Sequence, residues 1–171
     1  MRVAVTGTPG TGKTTATRLL EDRLGEMEVV HLNDVIEREE LYTDVDAERD
    51  SVIADLEAIR ATVDDDDLLV ESHLAHHLPA DRVVVLRCRP ERLEHRLRKR
   101  GESPATATEN AESEALDVIL SEAVDRHGLE AVFELDTTDR SPAAIADEVE
   151  AVVAGEKEPS AGEVDFTEWL L

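Results

Sequence analysis

The sequence predicts an α/β fold built on a parallel sheet, and three observations carry that expectation. Short apolar runs rich in β-branched residues alternate with helical periodicity along the chain. Two of these runs, "DLLVE" (67–71) and "RVVVLRC" (82–88), are apolar at consecutive positions, as expected of strands covered on both faces. A glycine-rich turn, "GTPGTGKT" (7–14), joins the first strand to the first helix.

Each element follows in order. "RVAVT" (2–6) reads as a short buried strand. "KTTATRLLEDRLG" is helical, with Ala16, Leu19, Leu20 and Leu24 on one face and Gly25 as its stop. "EVVHL" (28–32) is a second strand, and "NDVIEREELY" opens on an Asn/Asp cap signal and continues as a short helix. The pattern of 46–63 predicts a longer amphipathic helix with Val52, Ile53, Leu56 and Ile59 as its stripe. Strands at 67–71 and 82–88 follow. "PERLEHRLRKRG" then reads as a helix, with Pro90 in its first turn and Gly101 at its end. After the polar "ESPATATEN" come a helix over 109–127, a fifth strand in "AVFELDTT", and a last helix with Ser141 as cap and Pro142 in its first turn. The tail carries Phe166 and Trp169, two of only four aromatic residues, and is expected to dock those rings into a surface groove.

At 171 residues the chain predicts one domain. Its core would comprise 1–30, 64–98 and 110–155, with an insert at about 31–63, a lid at about 99–109 and a tail over 156–171. No apolar run approaches the roughly 18 residues a spanning helix needs. The single cysteine, Cys88, excludes an internal disulfide and fits a reducing, cytoplasmic setting. Forty-one acids against eighteen bases give a formal charge of −23. That excess speaks against broad nucleic-acid binding, which needs a basic face. It suits a salt-rich cytoplasm, because the screening length falls to about 3 Å at molar salt and self-repulsion fades.

"GTPGTGKT" matches G-x-x-x-x-G-K-[ST] in the context that a phosphate-binding loop requires. Gly7, Gly10 and Gly12 let the backbone turn its amides onto one phosphate, and the helix that follows adds its positive end. In such a loop Lys13 sits between the β- and γ-phosphates, and the Thr14 hydroxyl faces Mg²⁺. The chain is therefore expected to bind a nucleoside triphosphate. No N-K-x-D element is present for reading guanine, and the chain is short for a large motor. A small nucleotide kinase fits: residues 31–63 supply an acceptor insert, and Arg92, Arg96 and Arg100 recur at i, i+4 and i+8 on one helix face beside the lid. Their planar forks match phosphate oxygens. Glu71, at the carboxyl end of its strand, stands where an acid holds Mg²⁺ or its waters, and His73 would lie over the γ-phosphate. His76 and His77 have neither H-E-x-x-H spacing nor nearby cysteines, so polar packing is expected of them rather than a metal site.

"GTPGTGKTT", "ESH", "HRLRKRG", "ENAESEALDVILSEA" and "EVDFTEWL" together resemble the archaeal and eukaryotic adenylate-kinase-like family of the isoenzyme-six type. The resemblance implies a P-loop fold of the nucleoside monophosphate kinase type with five parallel strands and a short lid. It also implies phosphoryl transfer from Mg²⁺-ATP to AMP, an intrinsic ATPase, and a link to late small-subunit ribosome maturation through the ribosomal protein uS11 and the subunit precursor. Carried over by residue, Gly10, Thr11, Gly12, Lys13, Thr14, Thr15 and Arg100 contact ATP, and Thr14 and Glu71 serve the metal. Lys13, His73, Arg96 and Arg100 are catalytic. Asn33, Arg38 and Arg49 lie in the insert that takes the monophosphate. The family's acid at position 71 is Asp, whereas this chain has Glu. The alternative expectation is an ATP-hydrolysing assembly factor that binds and releases uS11 and has little kinase activity.

Overall fold

The computed structural model describes residues 1–46 and 51–171. The chain runs β1 (Arg2–Thr6), α1 (Lys13–Arg18), β2 (Glu28–His31), α2 (Leu32–Arg38), β3 (Tyr42–Asp46), β4 (Ser51–Ala54), α3 (Leu56–Thr62) and β5 (Leu68–Glu71). It continues through β6 (Arg82–Arg87), α4 (Pro90–Lys99), α5 (Pro104–Ala115), α6 (Val118–His127), β7 (Val132–Asp136) and α7 (Pro142–Val153). Single 3₁₀ turns occupy Ala75–His77, Leu129–Ala131 and Thr167–Leu170.

Five strands form one parallel sheet in the order β2-β5-β1-β6-β7. Period-2 alternation sends successive side chains to opposite faces, so one sheet nucleates two cores. Val3, Val5, Leu69, Val84 and Leu86 pack with Ala16 and Leu20 of the α1 segment and Ile145, Ala146 and Val149 of α7. Ala4, Val70, Val83 and Val85 face the other way, onto Ile36 of α2, Ile59 of α3 and Leu120 and Ala123 of α6. Burial on both faces explains the unbroken apolar runs. The chain leaves β1 for β2 on one side and continues through β6 and β7 on the other. The carboxyl end of β1 is therefore the switch point where α/β sheets bind ligands.

The structure departs from the sequence reading at 46–63 and at 109–127. Residues 46–63 do not form one helix: β3 and β4 pair as an antiparallel hairpin, and α3 begins only at Leu56. Asp55 caps α3 by accepting from the Ala58 amide at 3.2 Å, and Ile53 is half-exposed while Ile59 is buried. The expected helix over 109–127 is two helices. Asp117 breaks them at φ 56°, held there by its carboxylate on Arg87. Within the expected lid at about 99–109, α4 ends at Lys99 and Ser103 caps α5 from Pro104 onward, with a turn at 100–103 between them.

The tail packs back onto the sheet through Phe166 and its backbone amides. Phe166 precedes its last turn and Trp169 lies within it, both half-buried, and Phe166 lies beneath the Arg87 guanidinium, 5.5 Å from the ring centre. Arg87 is fully buried and meets Glu114 at 2.9 Å, Glu134 at 2.8 Å and Asp117 at 2.5 Å, joining β6, β7 and the α5–α6 junction. Glu134 also accepts from the Gly162 and Glu163 amides, which fastens the tail to the sheet.

Candidate active site

The turn after β1 is shaped by positions only glycine fills easily. Gly7 has φ 147°, and a Cβ there would lie 2.6 Å from the Leu86 carbonyl oxygen. Gly12 caps α1 in the left-handed region at φ 95°, which aims the first helical amides into the turn. Lys13 Nζ donates to the Gly7 and Thr8 carbonyls at 2.9 and 3.0 Å, which fixes the ammonium under the loop. Thr137, just past β7, donates to the Thr11 carbonyl at 2.9 Å and ties the loop to the far side of the sheet.

A cleft of about 770 Å³ opens over this turn. Its walls include Gly10, Thr11, Gly12, Lys13, Thr14 and Thr15 from the loop, with Asn33, Glu71, His73, Arg96 and Arg100 from four other segments. The structure thus brings together nearly every side chain that the sequence marked. Burial pushes the Lys13 amine down to about 8; the Glu71 carboxylate opposes this and the Arg100 cation adds to it. A triphosphate would supply the counter-charge this site lacks. Arg96 reaches the Gly10 and Thr138 carbonyls at 3.3 Å each, so it stands at the rim of the loop.

Glu71 is buried, and its Oε1 accepts from Thr14 Oγ1 at 2.8 Å and from His31 Nδ1 at 2.9 Å. A hydroxyl and a carboxylate paired at the cleft floor are hard oxygen donors suited to Mg²⁺, so the residues present fit that ion. His73 is half-buried in the cleft wall. Burial, with Lys13, His76 and His77 nearby, pushes its imidazole down to about 4, so it is neutral at ordinary pH.

Other expectations are placed elsewhere. Arg92 does not line the cleft but pairs with Asp139 at 3.1 Å on the surface. Arg38 is exposed and lines a separate concavity with His31, Asp34 and Thr62. Arg49 lies outside the described residues. His76 is buried among polar partners, Thr6 Oγ1 and Glu122 Oε2, each at 2.7 Å.

Sequence reasoning missed three contributors. His31 ends β2 directly opposite Glu71 in the register, and it bridges Glu71 to Glu21 on the surface. The signal was a histidine at a strand's carboxyl end, where α/β sheets gather their ligand groups. Arg140 of the turn after β7 lines the cleft with Pro142 and Ile145 of α7, and Lys99 lines it from the end of α4.

Comparison with known proteins agrees with this geometry. Residues 3–117 match the family model described as "AAA domain". A protein of Natronomonas pharaonis named "Putative adenylate kinase" is 61% identical over 171 residues, covering 99% of this chain and all of the relative. One of the same name from Methanocaldococcus jannaschii is 39% identical, covering 98% of this chain and 94% of the relative. Among solved structures, a shikimate kinase from Bacteroides thetaiotaomicron superposes with a TM-score of 0.57 at 16% identity, covering 91% of this chain and 98% of that one. A deoxyadenosine kinase from M. mycoides with bound dATP gives 0.57 at 14%, covering 90% and 100%. At such identities these two structures speak for the fold, that of the P-loop kinases. Full-length matches to relatives of one name establish the kinship, and the chain belongs to the archaeal adenylate-kinase-like family.

Proposed function

We propose that this protein is a nucleoside monophosphate kinase that moves the γ-phosphoryl group of Mg²⁺-ATP to AMP, giving two ADP. One observation carries the reading: Asn33 of the insert and Arg96 and Arg100 beside the lid turn line the same cleft as the phosphate loop, so donor and acceptor sides share one floor. The relatives' name supports the same activity.

The loop amides and Lys13 hold the β- and γ-phosphates, and Arg96 and Arg100 stand where they can close on the transferring group. Thr14 and Glu71 are the residues that would hold Mg²⁺, which would supply charge neutralisation to the phosphates. Asn33 orients the acceptor, while its Oδ1 accepts from Ser72 Oγ at 2.9 Å and so keeps it in line with the end of β5. No general base is required, because the attacking phosphate oxygen is already an anion. Holding the two phosphates in line supplies the rest of the acceleration. Arg38 and Arg49 are assigned to the insert's phosphate contacts by the resemblance alone. An intrinsic ATPase, and a role in late small-subunit maturation through uS11, rest on the same resemblance.

The test is nucleotide analysis in molar KCl. Protein and Mg²⁺-ATP are incubated alone and then with each monophosphate, and ADP is counted. Acceleration by AMP with its conversion to ADP is the expected result. A slow ADP yield that no monophosphate changes would reject the kinase and leave the ATP-hydrolysing assembly factor.

A further inference from the structure

Away from the cleft, the described residues include one cluster whose donor atoms converge as metal ligands do. His76 and His77, in the 3₁₀ turn after β5, and Glu122 of α6 place three donor atoms within 4.8 Å of one another. Both histidines aim Nε2 at the same oxygen, Glu122 Oε2, at 2.7 and 3.5 Å. Their rings lie 4.2 Å apart, tilted by 37°.

The rest of His76 is arranged as that of a metal-bound histidine usually is. Its other nitrogen, Nδ1, lies 2.7 Å from Thr6 Oγ1, a buried hydroxyl that can either donate or accept. When Nδ1 carries the proton and donates to Thr6, the Nε2 lone pair faces outward toward Glu122. Such an outer hydrogen bond fixes the tautomer and orientation of a ligating imidazole. The backbone is held as well, since His127 Nε2 lies 2.7 Å from the His76 carbonyl oxygen.

We propose that His76, His77 and Glu122 bind one divalent cation of the zinc class, with a fourth position open to solvent. Two imidazoles and one carboxylate suit zinc, whereas Mg²⁺ and Ca²⁺ take oxygen ligands. Tetrahedral ligands about 2.0–2.1 Å from zinc stand roughly 3.3 Å apart, so the 2.7 Å His76–Glu122 contact must open to admit the ion, while the 3.5 Å His77–Glu122 spacing is already close. The cluster can adjust from one side. The His76 side chain is buried at 1% exposure, while those of His77 and Glu122, at 29% and 45%, reach solvent and have room to adjust around the ion. The ion would staple the turn after β5 to α6. Through Thr6, the residue before Gly7, it would also brace the end of β1.

The test uses the full chain, stripped with chelator and held in molar KCl with excess Mg²⁺, which occupies nonspecific acidic sites. Zinc is titrated calorimetrically, cobalt is followed by its visible bands, and thermal unfolding is recorded with and without zinc. The expected result is one equivalent bound, intense tetrahedral cobalt bands and a raised midpoint. His77→Ala and Glu122→Gln, both surface changes, should weaken zinc by at least about tenfold and abolish the bands and the shift. His95→Ala, an exposed histidine on α4, should change none of these. No stoichiometric binding, a pale octahedral cobalt spectrum, or binding that survives both substitutions would overturn the site.

Discussion

His31 donates from Nδ1 to Glu71 Oε1 at 2.9 Å, the oxygen that Thr14 also reaches at 2.8 Å. Its other nitrogen lies 2.7 Å from Glu21, so the ring spans two carboxylates from the cleft floor to the surface. Burial works against the charge, but Glu21 and Glu71 together raise the imidazole above its ordinary range. His31 thus sets the direction of the Glu71 carboxylate. Glu71→Gln, which keeps the shape and loses the charge, should lower phosphoryl transfer by about 10²–10³-fold. His31→Ala should cost about 10–100-fold, mainly as a raised Mg²⁺ requirement that added Mg²⁺ partly restores. Initial rates across a Mg²⁺ series check both; an unchanged Mg²⁺ dependence in His31→Ala would remove this positioning role.

On the proposed reading, Arg100 serves phosphoryl transfer and His73 serves hydrolysis. Arg100→Ala should reduce transfer to AMP by about 10³-fold or more, the scale of a lost arginine on a transferring phosphoryl group. His73→Ala should reduce ATP hydrolysis without AMP at least as strongly as transfer. Side-by-side assays of both activities decide the matter, and equal loss of both in both variants would refute the division.

Arg87 is the cation that compensates three carboxylates at the junction of β6, β7 and α5. Its replacement by Met leaves Glu114 and Glu134 buried without it, at a cost on the order of 3–5 kcal/mol. The tail should loosen at the same time, since Glu134 and Phe166 tie it to this network. Denaturant unfolding in molar KCl gives the first effect, and a red-shifted Trp169 emission reports the second.

Cys88 is buried, and burial pushes its thiol up to about 11 from an ordinary value of 9.0. The folded chain therefore holds the proton more tightly than the unfolded one. Stability from this group is fully present below pH 9.0 and is lost as pH climbs through about 11. Thiol reagents should leave native protein unlabelled near neutral pH and react on unfolding. In Cys88→Ala the decline in stability over that alkaline window should be shallower.

Local chemistry made the phosphate loop legible, because its glycines and lysine act within eight residues. The strands were legible for a similar reason, since burial on both faces writes an apolar run into the chain itself. The β3–β4 hairpin was not. Val52, Ile53, Leu56 and Ile59 satisfy a helical period, whereas β-branched composition and the Asp55 cap favour the observed break. Nor could Asp117 announce itself: a left-handed aspartate is tolerated there because Arg87 takes its carboxylate. His31 and Glu122 gain their meaning from partners 40 and 46 residues away, brought near only by sheet order and helix packing.

Gly10 also has a mechanical side. A Cβ there would stand 2.9 Å from Leu93 and 3.1 Å from Leu97, and Arg96 of the same helix holds the Gly10 carbonyl. Helix α4 is therefore seated on the phosphate loop and does not hover above it. A cover rooted in this way has little to swing except the side chains of Arg96 and Arg100 and the turn at 100–103. Its closing would belong to the picosecond-to-microsecond regime of rotamers and short loops more than to the microsecond-to-millisecond rocking of whole domains. The pace of a catalytic cycle here would then be set by chemistry or by product release, and not by a gate.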